Sequence, residues 1–130
     1  MTSNTNQPLR TVEWTDNKVR MIDQTKLPNE FVYVEYTDFN QVADAIKNLV
    51  VRGAPAIGVS GAFGLALASI QSNAETKDDL LVYLEEAHKI LLATRPTAIN
   101  LKWGLDQIMT IAKQGDNVEQ IRSSVIEESK

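Results

Sequence analysis

Cysteine is absent from the 130 residues. No disulfide framework, thiolate nucleophile or cysteine-based zinc site can be built from them. Histidine is almost absent: the single His88 excludes a multi-histidine metal centre within this chain. Basic charge is also in short supply. Thirteen Lys and Arg stand against seventeen Asp and Glu, a formal net charge of −4, whereas a general nucleic-acid binder needs a basic surface to displace counterions from phosphates. A local anion site made from one or two arginines stays open. The N-terminal residues Thr2, Ser3, Asn4, Thr5, Asn6 and Gln7 are polar. With neither a basic n-region nor an apolar h-region there, no signal peptide is visible, and a cytoplasmic location is expected. Any chemistry is carboxylate- and arginine-based, or is supplied partly from elsewhere.

What is present fits one compact domain, 1–130, with 43% hydrophobic and 23% charged residues. Between Arg52 and Glu75 lie 22 consecutive uncharged residues. The apolar part runs only from Ala54 to Ile70, carries Gly58, Gly61 and Gly64, and ends in Gln71, Ser72 and Asn73. A membrane-spanning helix needs about 20 predominantly apolar residues. The stretch therefore reads as a buried core helix.

Residues 9–36 read as strands. Thr11–Trp14 and Lys18–Ile22 flank Thr15-Asp16-Asn17, where Asp and Asn tolerate the left-handed backbone of a hairpin turn. Leu27-Pro28-Asn29 turns the chain into Phe31–Tyr36, rich in β-branched and aromatic residues. Residues 37–130 read as helical. Val42, Ala45, Ile46, Leu49 and Val50 recur at the spacing of one helix face, and Asp38 with Gln41 resembles a capping box. Pro55 suits a first helical position. Thr76 with Asp79 caps the next helix, which buries Leu80, Leu84, Ala87 and Leu91, and Pro96 ends it. Thr97 caps another, with Leu101, Leu105, Ile108 and Ala112 inward and Gly115 as its stop. Asn117 opens a last helix through Val118, Ile121 and Val125. The expected fold is α+β: an antiparallel sheet of about three strands, then a bundle of about five helices.

Four of the six glycines fall in the run from Gly53 to Gly64. Glycine inside a helix costs roughly 1 kcal/mol relative to alanine. Ala54, Gly58 and Gly61 make a side-chain-poor stripe that admits either a second helix or a ligand. The arginines are the more telling feature. Arg52 precedes the helix start near Pro55, and Arg95 the helix start near Thr97. A cation at a helix N-terminus is unfavourable by about 0.3–1 kcal/mol. A phosphate lying between the two would satisfy free N–H groups and both guanidinium forks together. The alternative is that each arginine turns to a surface carboxylate or to a carbonyl at a neighbouring helix end. Other candidates are weaker. His88 reads as a boundary residue; Asp78-Asp79 and Glu85-Glu86 as the solvated side of their helix; Trp103 as a surface aromatic or interface anchor; Asn100 as a surface polar group within reach of a ligand. No base and nucleophile pair is visible.

The runs Val51-Arg52-Gly53-Ala54-Pro55-Ala56-Ile57-Gly58 and Thr94-Arg95-Pro96-Thr97-Ala98-Ile99-Asn100-Leu101 closely resemble the methylthioribose-1-phosphate isomerase family, as does the opening Leu9-Arg10-Thr11-Val12-Glu13-Trp14. That family belongs to methionine salvage and is related to the regulatory subunits of translation initiation factor 2B. Ribose-1,5-bisphosphate isomerases differ after the Arg-Gly-Ala, and the initiation-factor subunits generally lack Arg-Gly-Ala-Pro, which favours the isomerase branch. The resemblance implies an aldose–ketose isomerase converting 5-methylthioribose 1-phosphate to 5-methylthioribulose 1-phosphate, with no metal and no cofactor. Arg52, Gly53, Ala54 and Arg95 would bind the substrate. The implied partner is a small phosphorylated sugar, with no nucleic acid and no membrane, and the full-length enzyme would be a homodimer. Family members continue into a Rossmann-like α/β domain of about 200 residues, in which a cysteine and an aspartate carry the transfer. This chain would thus correspond to the N-terminal domain alone, contain no catalytic residue and be inactive by itself. Gly104 stands where the resemblance implies alanine, and is expected only to loosen its helix slightly. The competing reading is a regulatory or assembly domain like the initiation-factor subunits.

Overall fold

The computed structural model describes residues 12–26, 29–30, 32–48, 54–95 and 99–129. A three-stranded antiparallel sheet in the order β1-β2-β3 comprises Val12–Thr15, Lys18–Ile22 and Tyr33–Tyr36. Five helices follow among the described residues: α1 (Phe39–Lys47), α2 (Ala54–Gln71), α3 (Lys77–Thr94), α4 (Ile99–Gln114) and α5 (Val118–Ser129). The α+β expectation holds.

Thr15 pairs with Lys18 across Asp16 and Asn17, whose φ values of 51° and 60° make the two-residue turn that matches strand twist. Alternation sends Val19 and Met21 inward, beside Val34 and Tyr36 of β3. The outer face pairs Arg20 with Glu13 and Lys18 with Glu35, and lays Arg20 over the Tyr33 ring. Trp14 docks the sheet on α2, its ring 5.8 Å from Phe63. The third strand is shorter than the apolar run implied: Val32 is already outside it, accepting from Asp23 N–H, and Phe31 lies outside the described residues.

The helix starts obey local chemistry. Asp38 and Gln41 form the reciprocal capping box on α1. Thr76 Oγ1 accepts from Asp79 N–H on α3, and Asn117 Oδ1 from Gln120 N–H on α5. Leu80, Leu84, Ala87 and Leu91 are buried on α3 as their spacing required. The proposed cap Thr97, and Leu49 and Val50 of the first helical stripe, lie outside the described residues.

α2 is the centre of the molecule. Residues 61–69 are all buried, and the helix packs against each of the others and against β1 and β2. A helix apolar all round belongs inside a core. Among the described residues, no helix is long and apolar enough to cross a membrane. Its two buried hydroxyls are satisfied at home, Ser60 on the Ala56 carbonyl and Ser69 on that of Ala66. Its C-terminus is capped from outside. Arg122 of α5 donates to the carbonyls of Ser69 and Ser72 at 2.7 and 2.6 Å, and Gln71 accepts from the first amide of α1.

Gly104 corrects its expectation. A Cβ there would stand 2.7 Å from the carbonyl oxygen of Gly58, and a Cβ on Gly58 would stand 2.9 Å from that of Asn100. The two helix backbones touch, and no neighbouring side chain can swing aside to admit a methyl group. Gly61 admits Leu101 and Leu105 in the same way. Along this part of α2 the glycine stripe serves helix packing. Gly104→Ala should therefore lose about 1–3 kcal/mol in urea unfolding through overpacking, despite the roughly 1 kcal/mol that alanine gains in a free helix. An unchanged or raised midpoint would refute the backbone contact.

Candidate functional site

The backbone contact of Gly58 with Asn100 and Gly104 brings the starts of α2 and α4 together. Ala54 opens α2 about 6 Å along its axis from Gly58, and Ile99 opens α4 about 8 Å from Gly104, at 1.5 Å per residue. Two positive helix ends thus converge near one crossing. Beside it opens a groove of about 400 Å³, floored by Gly58 and Gly104 and walled by Val59, Asn100, Trp103, Gln107 and Glu128. Trp103 is 67% exposed and Ile99 81%, an apolar rim on the α4 side.

Of the four expected substrate-binding residues, Arg52 and Gly53 lie outside the described residues. Ala54 is the first residue of α2, which leaves Pro55 as the second. Arg95 is the C-cap of α3, its N–H donating to the Leu92 carbonyl at 3.3 Å, and it lies four residues ahead of Ile99. The side chain is half-buried. Among the described residues no hydrogen bond or ion pair engages its guanidinium. The position alters the electrostatic reading: the negative end of α3 favours a cation at Arg95 and offsets the repulsion from the start of α4.

The polar groups of the next turns make a cluster that the sequence reading did not reveal. His88 Nε2 on α3 meets Asp106 Oδ1 on α4 at 2.8 Å, and Lys102 Nζ donates to Asp106 Oδ2 at 2.7 Å. The Lys102 hydrogen bond holds the Asp106 carboxyl below the ordinary carboxylate range. His88 acts in the same direction, and partial burial opposes both. A signal was available: in two antiparallel helices, His88, six residues before the end of α3 at Thr94, and Asp106, seven residues after the start of α4 at Ile99, fall nearly level. Glu85 and Glu86 are exposed, Glu86 near Lys89, and Asp78 and Asp79 occupy the exposed first turn of α3, as read. Among the described residues, no three His, Asp or Glu side chains gather as a metal site.

A three-stranded sheet carrying a five-helix bundle, with two helix starts crossed over paired glycines, defines the class. Residues 50–130 match the Initiation factor 2 subunit family, and the chain belongs to that family. It is 47% identical over 122 residues to a methylthioribose-1-phosphate isomerase of Trichlorobacter lovleyi, covering 92% of this chain and 35% of the relative. It is 53% identical over 105 residues to one of Citrifermentans bemidjiense, covering 81% of this chain and 30% of the relative. Two crystal structures superpose with a TM-score of 0.89 each. One is 5-methylthioribose 1-phosphate isomerase from Pyrococcus horikoshii OT3, at 42% identity, covering 95% of this chain and 35% of that one. The other is translation initiation factor eIF-2B, subunit delta, from A. fulgidus, at 39% identity, covering 94% and 36%. The chain spans about a third of the length of these proteins.

Asp106 supplies a pH test. A carboxyl whose folded pKa is depressed contributes stability that is present above its unfolded pKa, about 3.9, and lost as pH falls through the folded value. With Asp106 46% exposed, solvent screening limits the contribution to about 0.5–1 kcal/mol. Wild type should exceed Asp106→Asn in urea midpoint at pH 5–7, and the gap should close as the buffer is taken below about pH 4. A gap that does not change with pH would assign it to something other than the carboxylate.

Proposed function

We propose that this chain forms the N-terminal part of an aldose–ketose isomerase acting on 5-methylthioribose 1-phosphate. Its role would be to hold the phosphorylated sugar rather than transform it. The observation that carries this reading is the 47–53% identity to relatives named for that reaction. Two features support it: the converging starts of α2 and α4, and Arg95 at the head of the α3–α4 turn. In this reading Arg52, Gly53, Ala54 and Arg95 bind the substrate. Guanidinium groups and helix-start N–H groups suit a phosphate dianion because they supply directed donors and positive charge together. The acid and base are supplied by the further length that the relatives have. Positioning groups without them leave the barrier high, so the chain alone should not turn over. We place this function in the cytoplasm and, for the complete enzyme, in a homodimer.

The second reading is a regulatory or assembly domain, favoured by the similarity to the eIF-2B delta subunit and by the exposed Trp103–Ile99 rim. Phosphate binding separates the two. Titration of the chain with inorganic phosphate, followed by NMR, should show saturable weak binding. Arg95→Ala should weaken it about tenfold, the effect of removing a charge-assisted hydrogen bond, and Arg52→Ala comparably. Equal affinity in wild type and both variants would refute the sugar-phosphate reading. Under the assembly reading, Trp103→Asp would abolish partner binding while both arginine variants retained it.

A further inference from the structure

α3 and α4 are the two arms of a helical hairpin, and Arg95 stands where the first arm ends. Two steric contacts seat the arms on α2: Leu91 lies in the space left by Gly64, and Gly104 lies against Gly58. These contacts set how closely each arm approaches α2, and neither joins one arm to the other. Two polar ties join the arms to each other. Lys77 Nζ donates to the Lys113 carbonyl at 3.1 Å at the end far from the turn. His88 and Asp106 meet at 2.8 Å near the turn, about 10 Å down each arm.

The second tie has the features of a built contact. Each oxygen of Asp106 has its own partner, Lys102 on one and His88 on the other. An ionised carboxylate only accepts, so His88 Nε2 carries the hydrogen and donates it. The imidazole is 18% exposed, which limits competition from water. Hydrogen bonds are directional in both length and angle. This one therefore ties the spread of the arms and their relative register directly, which the packing of each arm on α2 does not.

We propose that the His88–Asp106 bridge is a positioning latch for the Arg95 end of α3, setting where the guanidinium is presented relative to the start of α4; its functional meaning rests on Arg95 binding an anion, as proposed above. His88 and Asp106 are positioning residues that act through Arg95 and touch no substrate. Lys102 orients the carboxylate from within α4. The Lys77–Lys113 tie, at the opposite end, has no part in it.

Amide hydrogen exchange on the full 130-residue chain tests the latch. The probes are the Thr94 and Arg95 amides at the end of α3 and the Trp103 and Gly104 amides in the first turns of α4. His88→Leu keeps apolar bulk and removes the donor; His88→Gln restores a donor; Asp106→Ala removes the acceptor while improving helix propensity. Loss of one hydrogen bond should speed exchange at these amides about two- to tenfold in His88→Leu and Asp106→Ala. His88→Gln should return toward wild type, and Lys77→Ala should leave these amides unchanged. Wild-type exchange in both His88→Leu and Asp106→Ala would overturn the proposal. Equal acceleration in His88→Leu and His88→Gln would overturn it too, because bulk rather than the donor would then set the turn. Inorganic phosphate titrated into the same variants should bind several-fold more weakly to His88→Leu and near normally to His88→Gln. Unaltered phosphate affinity in His88→Leu, with faster exchange, would break the link from latch to Arg95. A wild-type chain that takes up no phosphate would refute the anion reading of Arg95, with the exchange pattern still deciding the latch itself.

Discussion

The fold turns on one contact in which no side chain takes part: the carbonyl of Gly58 facing the Cα of Gly104 where α2 crosses α4. A methyl group on either glycine would wedge the helices apart, because the opposing atoms belong to backbones already fixed by their own hydrogen bonds. The close approach has two consequences. It lets Leu101 and Leu105 pack onto the surface at Gly61, which fills the space beside the crossing. It also brings the starts of both helices beside one crossing, which a bulkier interface would hold further apart. Packing and site geometry therefore share a cause.

A helix as apolar as α2 must have its ends looked after by its neighbours. With no charged residue from 53 to 74, it cannot answer its own dipole. Arg122 reaches over from α5 to the carbonyls of Ser69 and Ser72, and Gln71 ties the same end to the first amide of α1. These contacts place a cation where the helix dipole wants one and consume orphan acceptors that burial would otherwise make costly. The same composition that invites comparison with a membrane span is accommodated in the packed core because α1 and α5 supply the polar partners.

Features governed by neighbours in sequence were legible before any coordinates. The Asp38–Gln41 box, the Thr76 cap, the Asp16-Asn17 turn and the buried stripe of α3 each follow from spacings of two to four residues, where local sterics and hydrogen bonding dominate. Features governed by what lies across a helix interface were not. Gly104 reads as a minor weakness when its helix is considered alone; only the facing Gly58 carbonyl reveals the requirement for it. His88 reads as a boundary residue until Asp106, 18 positions away, is folded back beside it. Arg95 falls between these cases. Its nearness to the start of α4 is local and was read correctly, but its simultaneous role as the C-cap of α3 changes the electrostatic balance. A guanidinium there is tolerated by the protein itself, so its presence alone is weaker grounds for an anion than the spacing suggested.

The frame is also shared more widely than one activity. The isomerase and the initiation-factor subunit superpose on this chain equally well. A backbone common to both is set by packing: the glycine crossing, the capped C-terminus of α2 and the sheet docked through Trp14 would serve either use. What separates the two uses must lie in side chains that packing does not require. Arg95 is partly buried, and its guanidinium is engaged by none of the described residues. A long, cationic, rotamer-rich side chain loses conformational entropy when it is ordered, and among the described residues only the negative end of α3 offsets that loss. A phosphate bound between guanidinium and helix start would add to that compensation, which makes Arg95, rather than the frame around it, the place where the proposed isomerase reading is tested.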